Sequence, residues 1–193
     1  MAKLRHLYRS SVFYTFVNTI EALTPIALIP FLTRFLSQHD YGLWALFQSV
    51  VAFLIPVISL SFKDAVRMHY LRLGPEALRH YVNSAAYIMT LLGTLGVLPV
   101  MIFQDTLGEW LKLNPAGLFA ILGLTWCYGF FYMALAVCQF AGERRMFAII
   151  QGVQSAISIA TTVALVMSDS GWQGCVFGRL AGVLVAVLVA AWL

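Results

Sequence analysis

Six stretches of nearly unbroken apolar residues follow one another along the chain, at about 11–32, 41–62, 82–103, 116–138, 146–167 and 172–193. Each holds about 20 residues, the number a helix rising about 1.5 Å per residue needs to cross a hydrocarbon core of roughly 30 Å. The pattern predicts an all-α polytopic membrane protein with six transmembrane helices forming one unit. The links at 139–145 and 168–171 are short and force antiparallel neighbours. The first link carries Arg34, His39 and Asp40, so the chain is expected to surface, turn at Tyr41-Gly42 and dive back. The longest link, 63–81, breaks around Leu73-Gly74-Pro75-Glu76 and mixes basic with apolar residues on both sides. It predicts two short helices on the membrane surface, with Arg72 and Arg79 reaching lipid phosphates. The link at 104–115 contains Leu107, Trp110, Leu111 and Leu113 and is expected at the interface, with Trp110 as an anchor.

Composition narrows the class. Charged residues make up only 10% of the chain, against about 25% in soluble domains. The net charge of +4 is therefore read by position rather than as a nucleic-acid footprint. With the N-terminus cytoplasmic, the inner side holds Lys3, Arg5, Arg9, Lys63, Arg67, Arg72, Arg79, Arg144 and Arg145. That leaves Arg34, Lys112 and Arg179 of the twelve basic residues, and the asymmetry predicts that both termini are cytoplasmic. The first apolar stretch is too long for a signal-peptide core and lacks a small-residue cleavage site, so it is expected to stay in the protein. Cys127, Cys138 and Cys175 lack metal-ligand spacing and read as small packing residues. His6, His39, His69 and His80 show no ligand spacing either, and no phosphate-binding glycine loop is present. No metal, no cofactor and no catalytic constellation are expected, so the chain does not read as an enzyme.

Glu21 is the most informative residue. A carboxylate near the middle of a span costs about 2.5–3.5 kcal/mol if it faces lipid, so Glu21 is expected to face protein or water, where it is a candidate for reversible protonation. Thr15, Asn18, Glu21 or Ala22, and Pro25 recur at helical spacing. So do Gln48, Ala52, Pro56, Ser59 and Lys63 on the second span, and Asn83, Tyr87, Thr90 and Thr94 on the third. Thr125, Tyr128, Tyr132, Ala136 and Gln139 do so on the fourth, and Gln151, Gln154 or Ser155, Ser158, and Thr161 or Thr162 on the fifth. Any one stripe would serve as interhelical glue, at about 0.6 kcal/mol per contact. Five together favour a bundle around a wet cavity, with Asn18, Glu21, Gln48, Lys63, Arg67, Gln151 and Arg179 as candidate lining residues. Arg179 has two readings, snorkelling outward or lining the cavity and attracting phosphate. Gly174, Gly178, Gly182, Ala186 and Ala190 fall every fourth residue in the last span, a face that lets a neighbouring helix approach closely. Pro25, Pro30, Pro56 and Pro99 interrupt three spans and suit helices that bend.

The segment Ile29–Gln48 carries Pro30, Leu32, Thr33, Arg34, Leu36, Ser37, Asp40, Tyr41 and Gly42. It resembles the opening of the polysaccharide-exporter branch of the multidrug/oligosaccharidyl-lipid/polysaccharide (MOP) flippase superfamily. In that branch a first span ends in Pro-x-Leu-Thr-Arg-x-Leu-Ser, and an acidic-Tyr-Gly turn enters the second. The likeness is strongest over roughly the first 75 residues. It implies the N-terminal lobe of a two-lobed, MATE-like transporter in the bacterial inner membrane, with a second six-helix lobe as partner, either the missing half or another protomer. The last span ends at Leu193 without the basic residues expected after an inward crossing, which also suggests a longer protein. The implied substrate is a polyprenyl-diphosphate-linked glycan, flipped among the membrane lipids for surface polysaccharide or lipopolysaccharide synthesis. Thr33, Arg34, Asp40, Tyr41 and Gly42 match the motif and are expected to shape the hairpin. Competing readings are half of a MATE-type drug/cation antiporter, a membrane-embedded polysaccharide polymerase, and a structural subunit. A polymerase should need a large outer loop with paired catalytic groups, whereas the longest outer link here is 104–115. A structural subunit would have no need of Glu21 and the polar stripes.

Overall fold

Ser37 sets the first reversal of the chain. The computed structural model describes residues 2–60, 62, 64, 65, 68 and 75–192, and the side chains of 12–19, 21–60, 62, 64, 65, 68 and 76–192. Helix α1 (Ala2–Phe35) ends just before Leu36, and α2 (Gln38–Ser59) begins just after Ser37. Ser37 Oγ accepts the Asp40 backbone N–H at 3.0 Å, and its hydroxyl donates to the Asp40 carboxylate at 2.8 Å. The cap satisfies a donor that a helix start leaves open, and a carboxylate in the first turn complements the helix dipole. The reversal therefore lies at Leu36–Ser37. Tyr41 and Gly42, expected at the turn itself, are already inside α2. A Ser-x-x-Asp pair starts a helix where it stands, and Gly42 adopts no left-handed conformation. Replacing Ser37 by Ala should cost about 1 kcal/mol, read as a lower thermal unfolding midpoint of the purified chain. An unchanged midpoint would show that the cap contributes nothing.

The remaining helices are α3 (Pro75–Leu111), α4 (Pro115–Ala141), α5 (Arg144–Met167) and α6 (Gly171–Trp192). Asn114 Oδ1 accepts the Gly117 N–H at 2.9 Å, with Pro115 in the first helical position, where its missing N–H is no loss. Gly142 (φ 77°) ends α4 in the left-handed region, which favours glycine. Among the described residues these six helices are long and apolar enough to cross a membrane, and no strand is present. The chain is an all-α polytopic membrane protein. Pro25, Pro30, Pro56 and Pro99 lie inside helices without ending them.

Two links differ from expectation. Residues 75–81, expected as a separate surface helix, are the first two turns of α3, because Pro75 starts a helix rather than breaking one. The other expected surface helix, with Lys63, Arg67 and Arg72, falls largely outside the described residues. At the far end α3 leaves helical geometry at Phe103 (φ −108°, ψ 17°) and then continues to Leu111, so most of the 104–115 link is helical. Trp110 on that extension is 84% exposed.

Helix α4 runs through the centre, packed against α2, α3 and α6, with Leu124, Thr125 and Phe131 fully buried. The closest pair is α5 and α6. A Cβ on Gly178 would stand 2.6 Å from the Thr162 backbone nitrogen, and one on Gly182 would stand 2.7 Å from the Gln154 carbonyl oxygen. The small-residue stripe is thus the surface on which the two backbones meet. Helix α1 packs chiefly on α5 and only lightly on α2.

Side-chain contacts sort the turns into two ends. At one, the Asp40 carboxyl carbon lies 3.6 Å from where a Gly171 Cβ would be, and Trp172 meets both Gly117 and Phe47. At the other, the Tyr14 hydroxyl donates to the Gln139 carbonyl at 3.4 Å, and its ring meets Phe147 edge-on at 5.0 Å. Asp40 and Asp169 belong to the first end, Arg144 and Arg145 to the second.

Candidate functional site

Residues from four of the predicted polar stripes converge. Between α1, α2, α5 and α6, floored by Tyr128 of α4, lies a cavity of about 530 Å³. Helix α1 contributes Asn18, Glu21 and Pro25, and α2 contributes Tyr41, Trp44 and Gln48. Helix α5 contributes Gln154, Ser158 and Thr162, four apart and so on one helix face, with Ser155 beside them. Arg179 enters from α6. Gly178 presses α6 onto α5, and the next residue, Arg179, turns off that contact into the cavity.

Arg179 lines the cavity instead of snorkelling outward. Its guanidinium Nη1 donates to Gln48 Oε1, and its central carbon lies 5.7 Å from the centroid of the Trp44 ring. The amide orients the planar group and the ring face offers it cation–π attraction. Glu21 is half-buried and accepts a hydrogen bond from Gln151 Nε2. Gln151 itself is 2% exposed, and its Oε1 is buried without a hydrogen-bond partner. Two polar pairs thus cross the bundle, Glu21–Gln151 tying α1 to α5 and Gln48–Arg179 tying α2 to α6. A second cavity, of about 360 Å³, lies toward the Gln139 end and is lined by Asn18, Glu21, Asp64, Tyr132 and Gln139.

The fifth stripe does not join. Asn83, Tyr87, Thr90 and Thr94 lie on the exposed face of α3, and Tyr87 is 79% exposed. Helix α3 turns Ala85 and Met89 toward Met133 of α4 instead. The Thr90 and Thr94 hydroxyls donate back to Ala86 and Thr90 carbonyls at 2.8 and 2.9 Å, so helical spacing of hydroxyl groups did not require a polar neighbour. On α2, Gln48 reaches the cavity, whereas Ala52 and Pro56 face outward.

Among the hairpin residues, Thr33 donates to the Ile29 carbonyl at 3.0 Å, and both it and Arg34 are exposed at the end of α1. Asp40 serves the cap, Gly42 is exposed, and Tyr41 lines the cavity. Lys63 and Arg67 lie outside the described residues. Sequence reasoning passed over Trp44, although it stands four residues before Gln48 on the same helix face, and it gave no role to Asp64.

No protein-family model matches the chain, and no solved structure matches it. Over 99 residues it is 25% identical to "Lsg locus putative protein 1" of Haemophilus influenzae. The match covers 51% of this chain and spans only a quarter (25%) of that relative's length.

The chemistry available is therefore that of the cavity. Arg179 offers a fixed, partly desolvated cation for an anionic group, and Trp44 and Tyr41 offer ring faces. The amides and hydroxyls of Gln48, Gln154, Ser155 and Ser158 offer hydrogen bonds of both senses. Among the described residues no cluster of three or more His, Cys, Asp or Glu could hold a metal ion.

Proposed function

We propose that this chain is one six-helix lobe of a flippase that carries a polyprenyl-diphosphate-linked oligosaccharide across the bacterial inner membrane for surface polysaccharide or lipopolysaccharide synthesis. The observation that carries the reading is Arg179, an arginine held by Gln48 and Trp44 in a large cavity of mixed polar and apolar lining within a set of membrane helices. A guanidinium in a low-dielectric site attracts a diphosphate strongly and bonds it through two parallel N–H groups. Ring faces and amides suit sugar, while an isoprenoid tail stays in the bilayer. The resemblance over residues 30–42 supports the same substrate class. Transport then needs a second lobe against which this one rocks, exposing the cavity to each side in turn.

Binding separates this reading from its rival. Glu21, Tyr128 and Trp44, which line the same cavity, also suit an organic cation, the substrate of an antiporter. The purified chain in lipid nanodiscs should bind polyprenyl diphosphate, with affinity falling as salt rises, and should ignore neutral polyprenol. Tighter binding of an organic cation than of the diphosphate would favour the antiporter.

The proposed orientation has both termini cytoplasmic, with Arg144 and Arg145 on the inner side. A cysteine placed at Gly142 should be shielded from an impermeant thiol reagent applied to intact cells, and one at Asp105 should react. The reverse result would invert the topology.

A further inference from the structure

The two cavities meet at one level of the bundle. Asn18 and Glu21 line both of them. The larger extends toward the Ser37 end past Trp44, and the smaller toward the opposite end, where Gln139 and Asp64 are exposed. The two residues common to both linings are polar. Glu21 is fixed there from α5 by the Gln151 amide. The Oε1 of the same Gln151 amide is buried without a hydrogen-bond partner, an open acceptor next to the group that holds the carboxylate.

We propose that Glu21, positioned by Gln151, is the gate of a hydrated route through this single lobe, reachable by protons and small cations from both membrane faces. The groups that face it agree with cation passage. Helix α5 gives the neutral Gln151 and α4 the two phenols Tyr128 and Tyr132. Asp64, beyond α2, puts a second carboxylate at the mouth of the smaller cavity. The cation Arg179 from α6 stands in the larger cavity, where Gln48 and Trp44 engage it. The carboxylate repels anions where the two cavities meet, and rotation of one side chain away from Gln151 joins them.

The gate is tested without any lipid-linked glycan, so its failure leaves the flippase reading standing. The 193-residue chain, with Cys127, Cys138 and Cys175 replaced by Ser, is reconstituted in vesicles of known orientation and treated with a small, charged thiol reagent. Trp44→Cys should react from one face and Asp64→Cys from the other, whereas Glu21→Cys should react from both. Reaction of Glu21→Cys from one face only, or from neither, overturns the proposal. A second readout is passive proton flux into vesicles holding a pH-sensitive dye. Glu21→Ala, which removes the partition, should leak at least tenfold faster than the unsubstituted chain. A Glu21→Ala chain of unchanged helix content that stays as tight as the parent also overturns it.

Discussion

Replacing Arg179 by Ala should weaken binding of polyprenyl diphosphate by at least roughly thirty-fold, about 2 kcal/mol, and stop transport by the complete protein. The expectation follows from the site. Arg179 is half-buried, its guanidinium is oriented by Gln48, and its face rests 5.7 Å from Trp44, so little entropy remains to be lost when an anion arrives. Arg179→Lys should recover part of the affinity, because an ammonium keeps the charge but loses the bidentate fork and the stacking. Gln48→Leu should fall between the two, since it leaves the cation in place without its orienting amide. Binding measured by titration against diphosphate at two salt concentrations checks all three. Equal affinity for the parent and Arg179→Ala would place the anion elsewhere in the protein.

Gly178→Val should be among the most damaging single changes to the fold. The new Cβ would stand 2.6 Å from the Thr162 backbone nitrogen and 2.7 Å from its Cα. Backbone atoms cannot step aside as a flexible side-chain end can, so α5 and α6 must separate along their whole shared face. Forced overpacking costs about 1–3 kcal/mol, and helices in lipid have little besides close packing to replace what is lost. Thr161 would also lose the hydrogen bond its hydroxyl gives the Gly178 carbonyl at 3.1 Å. Because α5 carries Gln151 and α6 carries Arg179, the same change should disorder both polar pairs. Gly152→Ala is the control, since a Cβ there meets nothing within 4 Å. Thermal unfolding should show a marked drop for Gly178→Val and none for Gly152→Ala.

What the sequence disclosed and what it withheld divide along a physical line. Spans were legible because hydrophobic length is a local property, and the glycine stripe because a face of missing side chains has one main use in lipid. Glu21 and Gln151 were visible as costly groups that need partners, but their pairing depended on how α1 lies on α5, which no local pattern records. The turn was misplaced because Tyr41-Gly42 reads as a break, while the Ser37–Asp40 cap acts one turn earlier. The α3 stripe misled because threonine hydroxyls can satisfy themselves on their own helix. Trp44 was hidden by its apolar character, although its role lies in the face of its ring. Pro75 was read as a breaker when its position at the first turn makes it a starter.

The central claim, flipping of a lipid-linked glycan, is tested most directly in liposomes. This lobe, together with the proposed second lobe, would be reconstituted with a fluorescent polyprenyl-diphosphate oligosaccharide, and loss of label to an external quencher followed. The account predicts that label in the inner leaflet becomes accessible with the parent protein and stays protected with Arg179→Ala. Protection that persists with the parent protein, while an organic cation crosses the same membrane, would contradict it.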